Sequence, residues 1–179
     1  MSGKILWEVA NAIRGETGAS SAVQAEAALR LILWAKVSGE SREVPFPPGA
    51  LRTRLLEAGF AQHLVAAALP DDPRLDALDA ARLKPVLHLL LGLRENGVLD
   101  TFDASQAVTS LPHQGDIGFW PLAPELVSLL GGLAGIAPGS SAYVAWDALA
   151  QIALYLAPLG AEVYLETPAA RALPALLSL

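Results

Sequence analysis

Two carboxylates near the end of this chain stand at a spacing that suits a nucleotide-binding site. Asp147 follows the short apolar and β-branched run Ala142–Trp146, and Glu166 ends a second such run that begins at Ala161. Glu166 follows Asp147 by 19 residues, and a carboxylate about 20 residues beyond a strand–helix turn suits a bidentate grip on the two hydroxyls of a ribose. An ordinary acid at the end of a strand explains Glu166 equally well.

The elements that must hold these carboxylates form a strand–helix–strand pattern over Ser140–Glu166. Between the two apolar runs, Asp147–Leu159 has the apolar spacing of a helix, and Gly160 ends it. Two strands joined by a helical crossover run parallel, so the pattern predicts the opening βαβ unit of a nucleotide-binding α/β domain. The turn over residues 146–151 contains no glycine.

The earlier part of the chain has apolar residues at helical spacing, separated by glycine, proline and polar breaks. We therefore expect a mainly α fold, with a helical bundle as the N-terminal domain over residues 1–115 and the βαβ domain over residues 116–179. The expected helices are Lys4–Arg14 with a stop at Gly15, a nearly apolar helix from Ser20 or Ser21 to Val37, Ala50–Ala58, Ala61–Leu69, Asp79–Glu95, Ala104–Thr109 capped by Asp103, Leu122–Gly135 and a last one from Pro168.

The composition is that of a globular protein with ample material for a core. Hydrophobic residues make up 53% of the sequence and the mean hydropathy is +0.42, but no run reaches the ~18 apolar residues of a membrane crossing. The N-terminus lacks the apolar segment and cleavage site of a secretory signal, and there is no cysteine for a disulfide or a thiolate metal site. We therefore expect a cytoplasmic location.

The two parts of the chain differ in charge. The net charge is −6, and residues 1–100 hold 11 Lys/Arg and 12 Asp/Glu, whereas residues 101–179 hold 1 and 6. Because affinity for nucleic acid depends largely on cations that meet phosphates, any contact with DNA should come from the first part. The candidate cations are Arg14, Arg30, Lys36, Arg42, Arg52 and Arg54. Solvated helix faces explain the same residues without a ligand.

Patterns for other chemistries are missing from the sequence. His63, His88 and His113 are scattered, and none stands at metal-ligand spacing with another histidine or a carboxylate pair. There is no Gly-x-x-x-x-Gly-Lys phosphate loop and no Gly-x-Ser-x-Gly nucleophile elbow. The sequence therefore predicts neither a catalytic residue nor a metal site.

Three N-terminal segments resemble the helical domain that opens the DNA methyltransferase (M) subunits of type I restriction-modification systems. They are Leu6-Trp7, Ala10–Gly15 and Leu31–Ser38. Further along, Gly118–Pro121 resembles the aromatic segment that precedes the methyltransferase core of that family. Glu166, with the Thr-Pro that follows it, matches the acid that ends the second strand of that core.

The resemblance implies that residues 116–179 begin a Rossmann-like domain that binds S-adenosylmethionine (SAM). The cofactor contacts that it implies are Phe119, Trp120, Pro121, Asp147 and Glu166. The partners that it implies are DNA, a specificity subunit and the other restriction-modification subunits, for a parent that methylates the exocyclic amino group of adenine. The catalytic motif of the family, Asn/Asp-Pro-Pro-Tyr/Phe, is absent, so we expect the N-terminal portion of such a subunit, inactive by itself.

A second interpretation is a non-catalytic helical interaction module with a degenerate nucleotide-binding fold. The helix expected from Pro168 carries Leu173, Leu176, Leu177 and Leu179. Burying one leucine is worth roughly 1.5–3 kcal/mol, so four leucines in water would be unfavourable. Further sequence of the same domain, a partner protein or a second copy in a homo-oligomer would cover this helix.

Overall fold

The computed structural model describes residues 1–17, 21–37, 48–70, 80–109, 122–147 and 149–166. Helices occupy 68% of the described residues, which confirms the expected mainly α class. The α-helices are α1 (Ser2–Thr17), α2 (Ser21–Val37), α3 (Pro48–Glu57), α4 (Gln62–Ala68), α5 (Ala80–Glu95), α6 (Ala104–Thr109), α7 (Pro124–Leu133) and α8 (Gln151–Leu156). Single 3₁₀ turns cover Leu99–Thr101 and Ala157–Leu159, and the strands are β1 (Ser141–Ala145) and β2 (Glu162–Glu166).

The main core forms where the apolar faces of the first six helices meet. The buried side chains of α1 are Ile5, Leu6, Val9, Ala10 and Ile13, and those of α5 are Leu83, Val86, Leu87, Leu90 and Leu91. Both sets are the ones that helical spacing predicts. The region from Leu29 to Ala35 in α2 is buried apart from Leu33, which is half-buried. Burial on nearly every side places α2 at the centre of the bundle.

Two predicted helix boundaries are wrong. α1 continues through Gly15 to Thr17, because one glycine inside a helix costs only about 1 kcal/mol and does not by itself end the helix. The helix predicted from Asp147 begins instead at Gln151, and Ala150 before it has a left-handed φ of 52°. Its last turn is a 3₁₀ turn that contains Pro158.

The predicted strand–helix–strand order is present, and β1 and β2 pair in parallel. Ser141 pairs with Glu162, Tyr143 with Tyr164 and Ala145 with Glu166. One face of the pair packs on α8 through Ala142, Val144, Val163 and Leu165. The other face is exposed. In the described part of the chain the sheet has these two strands.

The turn between β1 and α8 joins the strand pair to the helical bundle. Leu149 is buried in the main core with the side chains of the bundle, and Leu154 packs against the same core. Two other predictions lie outside the described residues: the domain boundary between residues 115 and 116, and the helix from Pro168. No helix within the described ranges has both the length and the apolar character that a membrane crossing needs.

Candidate functional site

The parallel register brings both predicted carboxylates to the same edge of the sheet. Ala145, the last residue of β1, pairs with Glu166, the last residue of β2. Asp147 lies two positions beyond Ala145. Both carboxylates therefore lie at the carboxyl ends of parallel strands, where open α/β sheets place their ligands.

The carboxylate of Asp147 caps α8. It is buried, with 8% of the residue exposed. Its Oδ1 accepts the backbone N–H of Gln151 at 2.9 Å, and its Oδ2 accepts those of Ile152 at 2.7 Å and Ala153 at 3.1 Å. These are N–H groups of the first turn of α8, which have no partner inside the helix. Both oxygens are thus engaged in holding the turn, a role that sequence reasoning missed although an acid before an apolar helix signals a cap.

Glu166 points to the exposed face of the sheet and accepts a hydrogen bond from the hydroxyl of Tyr143. This bond, desolvation and the negative charge of Glu166 together raise the pKa of Tyr143 above its ordinary value of 10.0. Glu166 and Tyr143 belong to neighbouring strands, two register positions apart. The sequence could have shown this pair only if the register had been known.

A second tyrosine–carboxylate pair lies on the same face. The hydroxyl of Tyr164 donates to Oε1 of Glu162 at 2.7 Å. This hydrogen bond, followed by the charge of Glu162 and by desolvation, raises the pKa of Tyr164 above 10.0. Tyr143 and Tyr164 are direct cross-strand neighbours, 69% and 54% exposed. The exposed face of the sheet therefore carries two aromatic rings with a carboxylate bonded to each hydroxyl.

The turn after β1 has a glycine-like backbone without glycine. Trp146 has φ of 61° and Ala150 has φ of 52°, values in the left-handed region that residues other than glycine rarely adopt. Ala150 is fully buried, whereas Trp146 is 70% exposed at the strand ends. The turn thus presents an indole at the edge where Asp147 and Glu166 lie.

Two hydrogen bonds tie the start of the α7 segment to the start of α8. The backbone N–H of Leu122 donates to Oε1 of Gln151 at 2.8 Å, and Nε2 of Gln151 donates to the carbonyl of Leu122 at 3.2 Å. Leu122 directly follows the predicted cofactor segment Phe119, Trp120 and Pro121, which itself lies outside the described residues. The residue after that segment is therefore anchored beside the turn.

The predicted DNA-contacting cations of the first part lie in unlike environments. Arg30 is only 7% exposed, so among the candidate cations its guanidinium is buried in the bundle and is poorly placed to meet a phosphate. Arg52 donates to the carbonyl of Leu69, through Nε at 2.7 Å and through Nη2. Lys36 is exposed at the end of α2. The side chains of Arg14 and Arg42 lie outside the described residues.

Metal chemistry finds no support in the part of the chain that the structure describes. No three His, Cys, Asp or Glu side chains there form a group that could hold an ion.

Comparison with known proteins gives no family: no protein-family model, no curated protein and no solved structure matches the chain. The residues and their geometry are therefore the basis of any functional assignment.

Proposed function

We propose that the strand pair and its turn bind SAM, as the first part of a Rossmann-like domain in an adenine-specific DNA methyltransferase subunit of a restriction-modification system. The observation that carries this proposal is the position of Glu166. Glu166 is the last residue of β2 and lies at the carboxyl ends of the two strands, beside the β1–α8 turn. There a carboxylate can accept hydrogen bonds from both hydroxyls of a cofactor ribose. On cofactor binding, the ribose hydroxyls would replace the hydroxyl of Tyr143 as hydrogen-bond donors to Glu166.

The turn has left-handed φ angles at Trp146 and Ala150, the conformation that glycine adopts most readily, although both residues carry a β-carbon there. Asp147 holds this conformation through three N–H groups of α8, so its contribution is to fix the turn. Gln151 anchors Leu122, the residue that follows the aromatic segment expected to contact the cofactor.

Methyl transfer is not assigned to residues of this chain, because the Asn/Asp-Pro-Pro-Tyr/Phe motif is absent from its sequence. The proposed roles are cofactor binding by the strand pair and contacts of the helical bundle with DNA and with a specificity subunit. For DNA contacts, exposed Lys36 is the best-placed candidate among the described cations discussed above.

Calorimetric titration with SAM and with S-adenosylhomocysteine tests the cofactor assignment. We expect micromolar binding that Glu166→Gln weakens about tenfold or more, since hydrogen bonds to a charged group are worth roughly 1.5–3 kcal/mol. Glu162→Gln is the matched control, because Glu162 also bonds a tyrosine but lies at the opposite end of β2. No binding at millimolar SAM, or equal loss in both variants, would overturn the assignment.

The second candidate is a non-catalytic interaction module, which the exposed face of the sheet favours. Parallel sheets of nucleotide-binding domains are covered on both faces, and their strands are apolar throughout. β2 instead alternates Glu-Val-Tyr-Leu-Glu, with the valine and leucine packed on the α8 side and the other three side chains exposed. Alternation of this kind is typical of a sheet with one face open to solvent or to a partner. Absence of SAM binding together with binding of a partner on this face would favour the module.

A further inference from the structure

The exposed side of the strand pair is a surface with unusual composition, which we call the tyrosine face. It consists of Tyr143, Tyr164, Glu162 and Glu166, with Ser141 and Ala145 at its margin. The two tyrosines are more than half exposed, at 69% and 54%. Tyrosine is enriched at the energetic centres of protein interfaces, because its ring buries a large area with few rotatable bonds.

The tyrosine face carries two negatively charged side chains, Glu162 and Glu166. Within the described residues, Glu162 and Glu166 bond only to hydroxyl groups and form no ion pair with a cation. No Lys or Arg occurs in the sequence between Arg94 and Arg171. A phosphate-bearing nucleic acid would meet repulsion on this face. A cationic ligand would meet two carboxylates and two aromatic rings.

We propose that the tyrosine face docks an arginine-bearing segment of a partner protein. A guanidinium can stack on a tyrosine ring and pair with a carboxylate in a bidentate geometry, and both kinds of partner group are present here. Lysine offers a strongly hydrated point charge and lacks the planar group that suits this combination. The docking goes beyond the cofactor assignment and needs no SAM. Because both ligands would use the carboxylate of Glu166, they would compete at that residue.

The spacing of the carboxylates defines the segment that fits. Glu162 and Glu166 are four residues apart on β2 with Tyr164 between them. Strands rise about 3.3 Å per residue, so the two acids stand roughly 13 Å apart. An extended peptide with arginines four residues apart matches this distance. Adjacent arginines of an extended peptide point to opposite sides, so they do not match this arrangement.

The experiment uses fluorescence anisotropy with a labelled Gly/Ser peptide that carries two arginines four residues apart. We expect binding that falls with added salt, as ion pairs at a surface are screened. Each of Glu162→Gln and Glu166→Gln should weaken it by up to about fivefold, and the double variant more, since an exposed ion pair is worth about 0.2–1 kcal/mol. Tyr164→Ala should also weaken it, because the guanidinium loses a ring on which it stacks.

Two controls make the result specific. Glu125→Gln neutralises an exposed acid on α7, away from the tyrosine face, and should leave peptide binding unchanged. A peptide with glutamine in place of arginine should not bind. No arginine-dependent binding, an equal effect of Glu125→Gln, or self-association of the chain that Tyr164→Ala abolishes would overturn the proposal; the last result would assign the face to a second copy. Glu162→Gln should weaken peptide binding but leave SAM affinity unchanged, so failure here and failure of the cofactor assignment are separate outcomes.

Discussion

Gly131 of α7 lies against the ring of Tyr155 of α8 so closely that a β-carbon at Gly131 would overlap the ring atoms Cδ1 and Cε1. Gly131 is buried and Tyr155 is half-buried. The next residue, Gly132, has nothing within 4 Å of the place where its β-carbon would stand. Of two adjacent glycines in one helix, the first is therefore required by packing and the second is not.

We expect Gly131→Ala to lower the free energy of unfolding by about 1–3 kcal/mol, the usual cost of overpacking. Gly132→Ala is the matched control and should raise it by up to about 1 kcal/mol, because alanine is the better helix former. Urea denaturation followed by circular dichroism measures both. Adding Tyr155→Leu to Gly131→Ala should recover part of the loss. Equal effects of the two glycine substitutions would contradict the contact.

Removal of the Asp147 carboxylate should destabilise the turn. Asp147→Ala leaves three N–H groups of α8 without their acceptor, and we expect a loss of about 2 kcal/mol. Asp103 is the natural comparison, because its Oδ1 accepts the N–H of Gln106, at 2.9 Å, in an exposed position. Asp103→Ala should cost about 0.5–1 kcal/mol. A smaller loss at Asp147 than at Asp103 in denaturant titrations would contradict the capping role.

The bond between Tyr143 and Glu166 should be visible in the titration of tyrosine. The hydrogen bond, desolvation and the carboxylate charge raise the pKa of Tyr143 above 10.0, because the bond and the nearby charge favour the protonated hydroxyl. A group with a raised folded-state pKa contributes stability that is fully present below its unfolded pKa and is lost as pH rises through the folded pKa. The contribution of this pair should therefore be complete at neutral pH and disappear in alkali above pH 10.0.

The measurement is ultraviolet absorbance of tyrosinate against pH, with Tyr143→Phe subtracted to isolate Tyr143. Glu166→Gln should move its pKa down towards the ordinary value, whereas Glu162→Gln should act on Tyr164 instead. A Tyr143 titration that Glu166→Gln leaves unchanged would show that the two groups do not bond in solution.

Much of the helical fold could be predicted because its signals are local. The apolar stripe of α5, the span of α2 and the Asp103 cap of α6 can be read from residues within a few positions of one another. The stop predicted at Gly15 failed because packing of α1 on α2 and α6 outweighs one unfavourable residue.

The candidate site was predicted less completely, since its geometry depends on pairings distant in the sequence. The strand end at Glu166 was correct, but the bond of Glu166 to Tyr143 depends on the register between two strands. The burial of Arg30 depends on which helices surround α2. Neither the bond of Glu166 to Tyr143 nor the burial of Arg30 can be predicted from the spacing of apolar residues along the sequence.

The burial of Leu149 in the helical core couples the β1–α8 turn to the stability of the helical bundle. A ligand that binds the turn in its folded conformation also favours the buried position of Leu149 in that core. Ligand binding to the folded state stabilises it by RT ln(1 + [L]/Kd), and this gain is shared by every element that unfolds together with the turn. Thermal unfolding of the helical bundle, followed by far-ultraviolet circular dichroism, would therefore register a ligand bound at the strand ends, far from α1 and α2 in the sequence.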